Sequence, residues 1–184
     1  MKKSMPWIRC AGFLVGLAVI LGICDFCFAP SGYVRFILHE VNRKDTQYDT
    51  IILGASHARS AINPEYLDEE LGTNTLNLAI PGETVKDAYY LLKDACESND
   101  VKTVIMDVDY QYWMDEQPQG YFTEPFICQN ITNLKVKTEY LLDNWDTIDL
   151  RNVLVRRLSW DCTWSSVKQN VSTKMTEAYR EYSI

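Results

Sequence analysis

Histidine is almost missing from this chain: two residues of 184, His39 and His57, with none after position 57. Acid–base catalysis near neutral pH leans on imidazole, so the shortage limits any catalytic reading from the outset. Basic residues are scarce as well, 18 Lys and Arg against 25 Asp and Glu, for a formal net charge of −7. Phosphate binding needs clustered Lys and Arg; with no basic stripe, nucleic acid is excluded as a partner. There is no internal repeat and no low-complexity tract. With 47% hydrophobic and 23% charged residues, the composition is that of a folded domain and excludes disorder. Six cysteines fall short of a disulfide framework, because Cys10, Cys24 and Cys27 sit in one apolar stretch and leave an odd three, Cys96, Cys128 and Cys162. Cys24 and Cys27 have redox-motif spacing, but they lie in an apolar helix and not beside a βαβ unit.

Charge of either sign is absent from Cys10 to Cys24, and Asp25 is the only charged residue between Cys10 and Ala29. A helix over this stretch spans about 30 Å, the thickness of a bilayer's hydrocarbon core. Lys2, Lys3 and Arg9 precede it, which places the amino end in the cytoplasm; Arg35, Arg43 and Lys44 follow closely and weaken that bias. Pro30 directly after Ala29 disfavours signal cleavage there. Residues 1–30 are therefore expected to be a cytoplasmic stub and transmembrane signal anchor, with residues 7–29 in contact with membrane lipid. Residues 31–47 are expected to be a juxtamembrane helix, with apolar Val34, Ile37, Leu38 and Val41 at helical spacing. Residues 48–184 form the domain proper, in the plasma membrane's extracytoplasmic space.

In that domain, Asp49 to Leu53 reads as a buried strand that stops at Gly54-Ala55-Ser56-His57. Asn63 and Pro64 open a helix that Gly72 stops. Thr75 to Ala79 is a second strand closed by Pro81-Gly82, Glu83 to Ser98 carries a helical stripe, and Val101 to Val108 is a third strand, the most apolar of the set. Strand–helix alternation at this spacing predicts parallel βαβ units. Right-handed crossovers put the strand ends on one edge, where Ser56, Gly82 and Asp109 converge. Residues 110–126 read as a loop; 134–142, 150–158 and 164–182 read as helices. The fold class is α/β, a partial three-layer, flavodoxin-like parallel sheet with flanking helices, preceded by one transmembrane helix.

Gly54-x-Ser56, then Asn77-Leu-Ala-Ile-Pro-Gly82, then a strand ending in Asp107-Val-Asp109, resembles the SGNH hydrolase superfamily. More narrowly it is similar to membrane-anchored SGNH-like envelope proteins in which Gly-[Thr/Ser/Ala]-Ser-His replaces Gly-Asp-Ser. The resemblance covers about Tyr48 to Trp113. It implies an esterase or acyltransferase acting on acyl esters of envelope carbohydrate, or on an acyl-carrying partner, with no cofactor and no metal. Ser56 matches the nucleophile, and the N–H groups of Ser56 and Gly82 match oxyanion donors, each worth roughly 3 kcal/mol of barrier in such enzymes. Asp109 stands where the family has an Asn donor. The family's C-terminal Asp-x-x-His segment is absent, leaving His57 as the imaginable base, although consecutive side chains point apart. Arg59 and Asn77 are candidate substrate-binding residues.

The missing imidazole and the three-strand sheet are what a C-terminally truncated chain would show, weakly active or inactive as it stands. A non-catalytic envelope binding or scaffold protein is the alternative. Asp107-Val-Asp109 also matches the short Asp-x-Asp pattern of metal-dependent glycosyltransferases, but no nucleotide-binding first strand accompanies it.

Overall fold

The structure is a computed structural model that describes residues 6–29, 33–108, 123–148, 153 and 162–176. Among the described residues it holds eight helices and one three-stranded sheet. In chain order these are α1 (Pro6–Phe28), α2 (Tyr33–Val41), β1 (Thr50–Leu53), α3 (Ser56–Ala61), α4 (Pro64–Leu71), β2 (Thr75–Asn77), α5 (Val85–Ser98), β3 (Thr103–Met106), α6 (Thr123–Asn130), α7 (Leu134–Asp143) and α8 (Trp164–Thr176). The chain divides into two units, Met1–Ser31 with Arg156–Ala178, and Gly32–Val155 with Tyr179–Ile184.

In the first unit, the 23 residues of α1 extend about 35 Å at 1.5 Å per residue. That length and its apolar composition suffice to cross a membrane. α1 packs against α8. The last carbonyls of a helix have no partner within it, and here α8 supplies donors: Lys174 Nζ donates to the Phe26 and Ala29 oxygens (2.7 and 2.6 Å), and Asn170 Nδ2 to the Cys27 oxygen (3.3 Å). A cation is favoured at this end by the helix dipole. α8, read from the sequence as part of the α/β domain, thus groups with the apolar helix.

The second unit is built around β1. Its sequence, Thr-Ile-Ile-Leu, is buried at every position, as a central parallel strand requires. The strand order is β2-β1-β3 with all pairs parallel, Ile51 opposite Leu76 and Val104, Ile52 opposite Asn77 and Ile105. Alternate β1 side chains enter two clusters. Ile51 and Leu53 join Ile37, Leu38 and Val41 of α2, Leu91 and Ala95 of α5, Ile127 of α6 and Tyr140 of α7. Ile52 joins Ala58 of α3 and Ala79, with Ile62, Leu67 and Ile105 packed around. Each fully buried Ile or Leu contributes roughly 1.5–3 kcal/mol. α2, read from the sequence as a juxtamembrane helix, is a core helix of this unit.

Local signals fix the helix ends. Asn63 caps α4 through Glu65 N (3.0 Å), Pro64 takes the first position, and Gly72 ends it in the left-handed conformation. Thr84 and Asp87 form a reciprocal capping box at the start of α5. Two differences from the sequence reading stand out. Residues 123–126 belong to α6 and not to a loop. β3, the most apolar strand, is the least buried, with Val104 and Met106 exposed, whereas β2, the other edge, is packed by α4 and buried at every position.

Candidate active site

Parallel strands end on one edge of a sheet, where ligands gather in open α/β folds. β1 runs into that edge at Gly54, whose φ is +151°. A Cβ at this position would lie 2.6 Å from Ala58 Cβ and 2.9 Å from Asp107 Cβ, so only glycine lets the chain turn from β1 into α3 against the end of β3. Ala55 is the N-cap residue of α3 and provides no side-chain cap. Ser56 is the first helical residue, exposed to solvent. Its hydroxyl is not spent as a cap, and among the described residues it has no hydrogen-bond partner. The first N–H groups of a helix also lack acceptors within it.

The second loop follows β2. Pro81 and Gly82 form a turn closed by Glu83 N–H donating to the Ile80 oxygen (3.0 Å), with Gly82 at φ +79°; this is the geometry of a type II turn, which calls for glycine at its third position. The two loops are tied together by the main chain and by one side chain. Ile80 N–H donates to the Gly54 oxygen (3.1 Å). The buried carboxylate of Glu83 accepts from Gly54 N–H (3.0 Å) with one oxygen and from Ile80 N–H (2.8 Å) with the other. Charge-assisted bonds of this kind are among the stronger ones a protein makes. Glu83 thus clamps the residue two before Ser56 to the residue two before Gly82. The sequence reading missed Glu83, although a carboxylate directly after Pro81-Gly82 was a visible signal.

The other candidates separate. His57 is exposed and follows Ser56 on α3, where consecutive side chains diverge by about 100° around the axis. Asp107 lies beside Gly54, its N–H donating to the Leu53 oxygen (2.9 Å), while Asp109 lies outside the described residues. Arg59 stacks its guanidinium on the Tyr33 ring, 3.9 Å from the centroid, a cation–π contact. Asn77, read from the sequence as substrate-binding, has its carboxamide committed within the fold. Its Nδ2 donates to the Ala58 and Ile62 oxygens (3.0 and 3.1 Å), and its Oδ1 accepts from Ala79 N–H (3.2 Å). A buried amide must be satisfied somewhere, and here it latches the end of α3 to β2.

Tyr33 donates to the Asn77 oxygen (3.1 Å). Burial pushes its phenol up to about 12, Arg59 opposes this, and Glu83 adds to it. Arg59 and Asn77 also line a cleft of about 470 Å³, of which Ser56, His57 and Gly82 are not part. No group of three or more His, Cys, Asp or Glu is placed to hold a metal among the described residues, and all six cysteines are free thiols. Compared with protein-family models, curated proteins and solved structures, the chain has no match.

Proposed function

We propose that this chain is a membrane-anchored SGNH-like protein whose site accepts acyl esters of envelope carbohydrate, as an esterase or acyltransferase. The carrying observation is the Glu83 clamp, which joins the loop bearing Ser56 to the turn bearing Gly82. In this reading Ser56 Oγ attacks the ester carbonyl and the oxyanion lies against the N–H groups of Ser56 and Gly82. The strand order β2-β1-β3 is that of the first three strands of a flavodoxin-like sheet, which supports the layering the family has. Anchorage through α1 with the amino end cytoplasmic puts the α/β unit outside the plasma membrane, where envelope carbohydrate is found.

A serine hydroxyl is a weak nucleophile without a base. His57 is badly placed to serve Ser56, so turnover by this chain is slow. The same shortage of imidazole favours a second reading, an envelope binding or scaffold protein that keeps the pocket and does no chemistry. Incubation of the full chain in detergent with an O-acetylated envelope polysaccharide separates the two. Slow acetate release that disappears in Ser56→Ala supports the first. Saturable binding of the polymer with no release from either protein supports the second and overturns the first.

A further inference from the structure

β2 has an outer edge that is buried and only partly satisfied. Thr50 N–H donates to the Asn74 oxygen (3.3 Å) and Leu78 N–H to the Ile52 oxygen (2.8 Å), so even-numbered positions of this strand face β1. Successive residues of a strand turn their N–H and C=O groups to opposite sides. Thr75 and Asn77 therefore direct theirs away from β1. The Asn77 oxygen finds the Tyr33 hydroxyl on that outer side. The N–H and C=O of Thr75 and the N–H of Asn77 meet no protein partner among the described residues, although Thr75 and Asn77 are only 5% and 8% exposed. Unpaired main-chain groups in such a place are costly and form a template for another strand.

The outer side of β2 faces the cleft of about 470 Å³, walled by α2 with Tyr33 and Glu40 and by α4 with Glu65 and Asp68. That volume is within the range of ligand sites. Its cations are occupied: Arg43 bridges Glu40 (3.0 Å) and Asp45 (2.7 Å), and Arg59 lies on Tyr33. Glu65 and Asp68 stand one turn apart on α4 and form no ion pair among the described residues.

We propose that this cleft binds an extended peptide by strand addition to β2, with a basic side chain of the peptide against Glu65 and Asp68. The donor–acceptor–donor row of Thr75 and Asn77, at the main-chain spacing of a strand, matches a peptide backbone. β3, the other edge, has exposed Val104 and Met106 but no such walled cleft. This site is separate from Ser56 and does not rest on the esterase reading.

The test uses the isotope-labelled full chain in detergent and a capped Thr-Lys-Val-Thr-Lys-Val-Thr peptide as probe. Binding is expected to shift the amide signals of Thr75 and Asn77 and to slow their hydrogen exchange. N-methylation of one alternate set of peptide residues weakens binding at least about tenfold, as losing one or two hydrogen bonds would. Thr75→Pro, which removes an outer N–H and leaves the β1 ladder intact, has the same effect. Should Thr75→Pro misfold, Glu65→Lys with Asp68→Lys provides the second variant, shifting preference to the Thr-Glu-Val-Thr-Glu-Val-Thr peptide. No binding at millimolar peptide, insensitivity to N-methylation, or protection of Val104 and Met106 instead would overturn the proposal. So would maltohexaose shifting Thr75 and Asn77 where the peptide does not.

Discussion

Replacing Glu83 probes both the stability of the α/β unit and the geometry of its site. Its carboxylate accepts from Gly54 N–H (3.0 Å) and Ile80 N–H (2.8 Å) in a buried setting. In Glu83→Ala, Ile80 N–H keeps the Gly54 oxygen at 3.1 Å, but Gly54 N–H loses its acceptor. A buried orphan donor costs about 1–3 kcal/mol, and a bond to a charged acceptor contributes about 1.5–3 kcal/mol. These overlap, so the expected loss is about 2–4 kcal/mol. Glu83→Gln retains one carbonyl oxygen and turns an NH2 toward the other donor, so about 1–2 kcal/mol is expected. For a domain of this size the alanine variant should melt roughly 8–15 °C lower, measured by circular dichroism on the full chain in detergent. Both variants should also slow phosphonylation of Ser56 by a fluorophosphonate at temperatures where they remain folded, alanine more than glutamine. An alanine variant within about 0.5 kcal/mol of the parent would refute the clamp. A destabilised but folded variant that labels at the parent rate would refute its positioning role.

Three further outcomes follow from the same structure. Gly54→Ala should be destabilised by about 2–4 kcal/mol, because its Cβ meets Ala58 and Asp107 at 2.6 and 2.9 Å in a strained backbone; a melting temperature within error of the parent would contradict the tight elbow. Burial raises the Asp87 pKa above 3.8, opposed by the Tyr140 hydroxyl (2.6 Å) and by Thr84. A folded-state value above the unfolded one contributes stability that is present below pH 3.8 and lost as pH rises through the folded value. Melting temperature in Asp87→Asn should therefore fall less from acid toward neutral pH than in the parent, and identical pH profiles would count against this. Tyr33, pushed up to about 12 mainly by burial, should contribute stability below pH 10 that is lost as pH rises to 12. Ultraviolet difference titration of Tyr33→Phe should lack that late ionisation, and at pH 7 the variant should be about 0.5–1.5 kcal/mol less stable for want of the bond to Asn77.

Much of the second unit was legible because its signals are local. Asn63, Pro64 and Gly72 mark both ends of α4, and unbroken apolar runs mark β1 and β3. Burial depends on what packs against a strand, so the apolar character of Val104 and Met106 could not reveal that β3 is the exposed edge and β2 the covered one. α3 has six residues, too few to show a helical period, and Ala55 holds its N-cap position. Asn77 has the side chain of a ligand-binding residue, and only the approach of Ala58 and Ile62 shows it to be a latch. The bond from Lys174 to the end of α1 spans 148 residues, beyond anything periodicity registers. In the site, Gly54-x-Ser56 and Pro81-Gly82 were readable as motifs; Glu83 was visible beside them, but its bonds to Gly54 and Ile80 show only in the fold.

The central claim of the proposed function is that Ser56, exposed at the end of β1 and without a base of its own, is the nucleophile. The most direct measurement is fluorophosphonate labelling of the full chain in detergent, with the modified residue identified by peptide mass spectrometry and with imidazole added as an external base. The account predicts a slow adduct on Ser56, faster with imidazole and absent from Ser56→Ala. No adduct on Ser56 at any imidazole concentration, or labelling that survives Ser56→Ala, would contradict it.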